Sequence, residues 1–150
     1  MSSLIAEEQY PISFREADAK ELGNRLKHRQ SVNLIGLKRI GISNFLRFFL
    51  YHKDSIRTFV GDNREHLLIP IDLHDLIELE IYPFWTLTLK RIVDAVEKSK
   101  LPLETKKKIG SLFLNSIQSQ DLFLLIDNVR QALMLIVSVG FSANTIWRLC

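Results

Sequence analysis

The chain has 150 residues, 47% apolar and 25% charged, with a net charge of +3 at pH 7 and a pI near 9.1. This length and composition predict a globular domain with its own core and give no reason to divide the chain into two domains. Because the basic residues are interspersed with acidic ones and the net charge is small, charge alone gives little support for nucleic-acid binding, which is a third and weaker possibility.

The cysteine content, the first residues and the longest apolar stretch bear on compartment and membrane contact. The single cysteine is the last residue, Cys150, so no internal disulfide can form and a reducing cytoplasm is the expected location. Residues 1–8 lack the basic and apolar regions of a signal peptide. The longest apolar stretch, 122–141, predicts a buried or partner-facing helix and not a membrane span, because its middle contains four polar residues: Asp127, Asn128, Arg130 and Gln131.

The N-terminal part predicts an arm followed by a helix. Residues 1–13 are polar and contain a proline, so we expect an extended N-terminal arm. Ser13 and Glu16 have capping-box spacing, and leucines then recur at helical intervals. This pattern predicts a helix from about Arg15 to Lys27, in which Gly23 costs about 1 kcal/mol relative to alanine.

A glycine loop follows this helix. The apolar run Val32 to Ile35 predicts a short strand buried on both faces of a parallel sheet. Two glycines separated by four residues come next, Gly36 and Gly41, and a helix is predicted from Ser43 to about His52. This is the layout of a phosphate-binding loop, in which backbone N–H groups surround a phosphate and the helix N-terminus adds partial positive charge.

The candidate nucleotide-binding residues run from the first glycine to the start of the helix: Gly36, Leu37, Lys38, Arg39, Ile40, Gly41, Ile42, Ser43 and Asn44. The usual pattern is Gly-x-x-x-x-Gly-Lys-Ser/Thr, and Ile42 occupies the lysine position. Ser43 would contact a metal only if a magnesium nucleotide binds; otherwise it would be the N-cap of its helix. Lys38 and Arg39 either reach the phosphates from the side or are solvated loop residues. If the loop binds no phosphate, the two glycines would only provide the small residues that a strand-to-helix turn needs.

The middle of the chain predicts a second strand and a pair of helices. Ser55 to His66 predicts a connection or a short edge strand. Leu67 to Leu73 predicts the second strand, and Pro70 favours an edge position or a strand end because it cannot donate a ladder hydrogen bond. Two helices, one with Pro83 in its first turn and one beginning at Pro102, are expected to form a hairpin.

A final helix and strand complete the predicted elements. The helix begins at Leu122, and its apolar residues keep three- and four-residue intervals through Asp127. Asp127 is therefore predicted on a solvated or partner-facing side, and not at the end of an acidic, magnesium-holding strand. Gly140 is the predicted stop of this helix, and Ala143 to Leu149 predicts a third strand.

This order of elements resembles the N-terminal part of a P-loop ATPase of the AAA/STAND type, in which an extra strand lies between the Walker A and Walker B strands. Phe14-Arg15-Glu16 is similar to the Phe-x-Gly-Arg-Glu entry of those proteins, and Val32 to Leu46 is similar to their Walker A region. The resemblance covers about residues 13–73. It implies an α/β class, an incomplete three-layer P-loop NTPase-like domain over 14–150 with a short parallel sheet and a large helical share, and ATP with Mg²⁺ as the ligand.

Two departures limit the implied activity. Ile42 offers neither a donor nor a charge to the phosphates, and a lost charge-assisted contact costs a few kcal/mol. Residues 144–150 contain no Asp-Glu pair of the Walker B type, which would anchor magnesium and orient the attacking water. The interpretation is a degenerate or truncated domain with at most weak binding of adenine nucleotide and no hydrolysis by itself, so no catalytic residue is predicted.

A different class of function stays open. The chain could be a helical protein-interaction module or an oligomerising fragment without nucleotide binding. A sheet whose third strand is the last element leaves an edge and its helices incompletely covered, which favours a protein partner or self-association. Zinc is not predicted, because the four histidines lack ligand spacing: His28, His52, His66 and His74.

Overall fold

The computed structural model describes residues 5–30, 32, 34, 41–61 and 66–148, with side chains up to residue 146. Backbone contacts divide the chain into two compact units, Met1–His66 (unit 1) and Leu67–Cys150 (unit 2). The structure is mostly helical (66%) with one two-stranded parallel sheet, which agrees with the coarse α/β class. The single domain over 14–150 stays a prediction.

Three α-helices form the described part of unit 1: α1 (Glu16–Lys27), α2 (Ile42–Tyr51) and α3 (Ser55–Phe59). The predicted positions of α1 and α2 are confirmed. The N-terminal segment is not extended throughout, since Ala6–Gln9 forms a 3₁₀ turn in contact with α2.

Helix α3 begins where a connection or a short edge strand was predicted. A buried hydroxyl holds the start of this helix in place: the side chain of Ser55 donates to the backbone carbonyls of Phe49 and His52. At the other end of α3 the ring of Phe59 is buried and lies 6.5 Å from the ring of Phe49. Tertiary contacts therefore fix a five-residue segment whose own sequence pattern is weak.

The start of α1 differs from the predicted capping box. The N-cap residue is Arg15, in the left-handed region with φ of 48°, and no side chain caps the helix there. The contact between Ser13 and Glu16 is a backbone one, from the N–H of Glu16 to the carbonyl of Ser13 at 3.2 Å. The spacing suggested a reciprocal side-chain cap with Ser13 as the N-cap residue, but the helix begins two residues later than that cap requires.

Gly23 is needed for the packing of α1. A Cβ at this position would lie 2.2 Å from the carbonyl oxygen and 2.6 Å from the carbonyl carbon of Phe59. Any side chain would therefore collide with the backbone of α3. The helix-propensity cost predicted for Gly23 is offset by this close approach of two helices.

The predicted strand at Val32 to Ile35 is wrong at its two described residues. Val32 and Leu34 lie outside any strand and are 39% and 40% exposed. A strand buried on both faces needs a neighbour on each side, and among the described residues the sheet contains only β1 (His66–Asp72) and β2 (Ser142–Arg148). The other positions of the predicted strand, Asn33 and Ile35, lie outside the described residues.

Three long helices make up most of unit 2: α4 (Ile81–Lys98), α5 (Leu103–Ser119) and α6 (Leu122–Ser138). All three were predicted, as were β1 and β2 to within one residue. Gly140 follows the end of α6 with φ of 91°, which confirms it as the predicted stop. The three helices contact one another, so the predicted hairpin of α4 and α5 is extended by α6.

The core of unit 2 lies between these helices and β1. Alternate residues of β1 are buried, and they pack with aliphatic residues from one face of each helix. Pro70 lies inside β1, where a missing N–H is tolerated because each strand of the described two-stranded sheet has an open edge. The buried core residues are Leu67, Ile69, Ile71, Leu89, Ile92, Val96, Leu101, Ile109, Leu125, Val129, Ala132 and Ile136.

A buried amide joins α5 to α6. The side chain of Asn128 is 3% exposed and donates to the hydroxyl of Ser116 at 2.8 Å and to the carbonyl of Leu112 at 3.2 Å. Asp127, the neighbouring residue, instead pairs with Arg130 at 2.6 Å on the outer side of α6. This confirms the prediction that Asp127 lies away from the core. Within the described part of the chain, none of the helices combines the length and apolarity that a bilayer crossing requires.

Candidate nucleotide-binding site at the start of α2

The structure describes four of the nine predicted nucleotide-binding residues. These are Gly41, Ile42, Ser43 and Asn44, at the start of α2. The other five lie outside the described residues: Gly36, Leu37, Lys38, Arg39 and Ile40. The candidate site is therefore built from the helix end of the predicted loop.

Gly41 makes the turn into α2. It is the N-cap residue and has φ of 83°, a left-handed conformation that favours glycine, and its carbonyl accepts the first helical hydrogen bond from Phe45 at 3.0 Å. Ile42 is the first helical residue and Ser43 the second. The alternative role of Ser43 as N-cap is therefore wrong, because the N-cap residue is Gly41, two residues before Ser43.

The start of α2 has positive electrostatic character. Gly41 has no side chain with which to cap the helix, and the first turn contains no acidic residue. The aligned peptide dipoles place partial positive charge at this end, which favours an anion there. Ser43 and Asn44 both lie in this first turn, Ser43 half-buried and Asn44 exposed.

Arg15 brings a full positive charge to the same place. Its Nη1 donates to the carbonyl oxygen of Gly41 at 3.3 Å, and its guanidinium carbon lies 5.2 Å from the centroid of the buried Phe45 ring. Asp18 pairs with the other side of the guanidinium, at 2.8 Å from both Nε and Nη2. The charge of Arg15 is thus held beside the turn, and Asp18 partly neutralises it.

A second ion pair lies further along α2. Nε of Arg47 is 3.3 Å from Oε1 of Glu7, whose side chain is only 9% exposed. The contact is ionic and not a well-aligned hydrogen bond, because Nε of Arg47 has no partner of hydrogen-bond geometry among the described residues. Arg47 is thus engaged in holding the 3₁₀ turn against α2.

Two carboxylates at and just beyond the end of β1 have partners that account for them. Asp75 pairs with Arg91 at 2.8 Å, and Asp72 accepts a hydrogen bond from the backbone N–H of His74 at 3.0 Å. Burial opposes the charged form of Arg91, but its hydrogen bonds to Asp75 and Asp94 outweigh this, so its pKa is raised above the usual value. Within the described residues, no three His, Cys, Asp or Glu side chains are grouped so as to hold a metal ion.

Comparisons with protein-family models, with curated proteins and with solved structures gave no match for this chain.

Sequence reasoning missed the position of two charged residues. Arg15 was noted only as part of the segment before α1, and no spacing rule connects it to Gly41, 26 residues later. Glu7 lies in the predicted arm, where a buried carboxylate is not expected from a polar sequence. Both placements depend on the packing of distant segments against α2, which residue pattern alone does not encode.

Proposed function

We propose that the chain is a degenerate P-loop-type domain that binds adenine nucleotide weakly and does not hydrolyse it by itself. The observation that carries the proposal is the left-handed Gly41 at the start of α2 with the guanidinium of Arg15 beside it. A glycine in this conformation at a helix N-terminus is what the second glycine of a phosphate-binding loop requires.

The proposed phosphate contacts come from backbone and side chain together. The N–H groups of the first turn of α2 supply the partial charge, and Arg15 supplies part of the charge that Ile42 lacks. Ser43 would meet Mg²⁺ if the nucleotide carries it. Without the loop lysine the affinity should be low, with a Kd of about 0.1–1 mM. The absence of hydrolysis follows from the isoleucine and from β2, which contains no acidic residue.

Calorimetric titration of the full chain with ATP and Mg²⁺ tests the proposal. The wild type should give measurable heat at millimolar nucleotide, and Ile42→Lys should tighten binding about 10- to 100-fold, because charge-assisted hydrogen bonds contribute about 1.5–3 kcal/mol. No heat from either protein would remove the proposal. Heat from Ile42→Lys alone would show that the loop keeps its geometry but that the natural chain does not use it.

The role of Arg15 is tested with a matched control. Arg15→Gln should weaken nucleotide binding, whereas Asp18→Asn should strengthen it by removing the competing carboxylate. Arg25→Gln is the control, because Arg25 is also on α1 and also pairs with a carboxylate of its own helix, Glu21 at 2.9 Å. Equal effects of the Arg15 and Arg25 substitutions would mean that Arg15 has no local role.

A second candidate function is protein interaction through unit 2, and it is favoured by a specific observation. The outer side of α6 presents large apolar side chains to solvent, with Phe123 84% and Met134 63% exposed. Such a surface at helical spacing is typical of a helix that packs against a partner.

A further inference from the structure

Helix α6 has two apolar faces, and only one belongs to the core of unit 2. The inner face is formed by residues such as Leu125, Val129 and Ile136, which are at most 4% exposed. The opposite face, here called the outer stripe, recurs at intervals of three and four residues along the helix. It consists of Phe123, Ile126, Arg130, Met134 and Val137.

The outer stripe extends along most of α6. Its apolar members are 84%, 36%, 63% and 56% exposed in chain order. At 1.5 Å per residue the stripe runs about 21 Å along the helix. Scattered apolar side chains on a surface need no explanation, but a row of this kind on one helix face indicates a docking surface.

The charges of the stripe indicate the kind of partner. Asp127 and Arg130 pair at 2.6 Å, so the stripe and its margin are electrically balanced. Arg130 is the only basic residue of α6, which argues against adsorption to an anionic membrane, because that needs a basic polar face. A balanced surface with one acid and one base also offers no net charge to a strongly acidic or basic partner.

The same pair makes the stripe complementary to itself. Two α6 helices can pack antiparallel about a twofold axis perpendicular to them, at a height along the helix midway between residues 128 and 129. Asp127 of each copy then lies opposite Arg130 of the other. In this register Phe123 lies opposite Met134, also twice, and a thioether against an aromatic ring is a favourable contact. A twofold interface uses one patch on both copies, which is what this arrangement provides.

We propose that the outer stripe of α6 is the interface of a homodimer, in which two copies pack antiparallel with Asp127 facing Arg130 of the other copy and Phe123 facing Met134. The inference goes beyond nucleotide binding and develops the second candidate function. A single helix pair buries less surface than a standard stable interface, so we expect a Kd of about 10 µM to 1 mM.

Sedimentation equilibrium of the full chain over about 10 µM to 1 mM tests the proposal. The wild type should show a monomer–dimer equilibrium, and Phe123→Glu and Met134→Glu should each weaken it at least tenfold. Ile77→Glu is the matched control, because Ile77 is 99% exposed in unit 2 but lies outside α6. A wild type that stays monomeric, or an association that Ile77→Glu removes and the α6 variants keep, would overturn the proposal.

A charge exchange tests the antiparallel register itself. Asp127→Arg places two basic residues on the stripe and its margin, and Arg130→Asp places two acidic ones there, so each variant alone should dimerise at least tenfold more weakly than the wild type. An equimolar mixture should recover association, because both facing pairs are then of opposite charge. Association of the mixture no stronger than that of either variant alone would exclude this register.

Folding and nucleotide binding serve as independent readouts. Far-UV circular dichroism of each α6 variant should match that of the wild type, because the substituted side chains point away from the core. Calorimetry with ATP should be unchanged by the α6 variants, since the candidate site lies in unit 1. A variant that loses dimerisation but keeps the heat of ATP binding, or one that keeps dimerisation but loses this heat, therefore separates the two proposals.

Discussion

The two units are stabilised by different kinds of side chain. In unit 1 the largest buried groups are the rings of Phe45, Phe48, Phe49 and Phe59, three of them on α2. In unit 2 the fully buried core is aliphatic, and its members come from β1, α4, α5, α6 and the turn before α5.

This difference predicts different responses to substitution. Rings on a single short helix concentrate the burial of unit 1 in few residues, so that each loss should be large. The aliphatic core of unit 2 shares its burial among many smaller side chains, so that each loss should be smaller and more local.

Phe48→Ala should destabilise unit 1 by about 3–5 kcal/mol, because the ring is fully buried and its removal leaves a cavity. The centroid of this ring also lies 5.3 Å from that of the Phe14 ring, which is edge-on, and 5.1 Å from that of the tilted His52 ring. Amide hydrogen exchange, which reports each segment separately, measures the loss in α1 and α2. Phe48→Leu is the milder control, and an Ala variant no less stable than the Leu variant would contradict the idea of a concentrated aromatic core.

Gly23→Ala should cost about 1–3 kcal/mol or more, because the added methyl group overlaps the backbone of Phe59. The matched control is Gly110→Ala in the middle of α5, where an added Cβ meets nothing within 4 Å. That variant should be more stable by up to about 1 kcal/mol, the helix-propensity gain of alanine over glycine. Urea unfolding of the two variants should therefore show changes of opposite sign, and a Gly23→Ala variant as stable as the wild type or more stable would refute the close helix contact.

Asn128→Ala should destabilise unit 2 by about 1–3 kcal/mol, because the hydroxyl of Ser116 and the carbonyl of Leu112 lose a buried donor. Ser116→Ala is the milder comparison, since it leaves the bond to the carbonyl of Leu112 in place. Both tryptophans of the chain, Trp85 and Trp147, belong to unit 2, so their fluorescence in urea follows this unit. Equal stability of the Asn128 variant and the wild type would mean that the α5–α6 contact is purely apolar in its energetics.

Removing the ion pair of Asp127 and Arg130 should have the smallest effect on stability. Hydrogen bonds from Arg130 and then from Gln131 hold the pKa of Asp127 below its usual value. A carboxyl whose pKa is lower in the folded than in the unfolded chain contributes stability above its unfolded pKa, and this contribution is lost as the pH falls through the folded pKa. Asp127→Asn should therefore lower stability slightly at neutral pH. It should not do so at an acidic pH below both the folded and the unfolded pKa of Asp127.

Dilute protein is needed for this last comparison, because the same residues form the proposed dimer contact. Urea unfolding of the wild type and Asp127→Asn at both pH values measures the effect. A difference of the same size at acidic and neutral pH would show that the charge of Asp127 is not its cause.

Local pattern was enough for most helices. The apolar periodicity of α4, α5 and α6 is long and regular, so these helices and the outward position of Asp127 could be predicted. Short segments were less certain, because an apolar run of four residues fits several structures. Val32 and Leu34 were predicted in a buried strand and are exposed, and α3 was predicted as a connection and is helical.

The candidate site could be predicted only in part, because one of its two features is local in sequence and the other is not. The turn at Gly41 follows from glycine at a loop-to-helix junction. The approach of Arg15 to that turn does not, because it depends on where the residue before α1 is held against α2. The nucleotide and its binding residues stay a prediction.

Periodicity, proline and glycine act over a few neighbouring residues, so local pattern was sufficient to place α1, α2, α4, α5 and α6 and the two strands. Contacts between groups that are far apart in the chain emerge only on folding: Arg15 with Gly41, Glu7 with Arg47, Gly23 with Phe59, and Asn128 with Ser116. Hydrogen bonds, ion pairs and steric contacts act through space, and one residue pattern is compatible with many ways of bringing distant segments together.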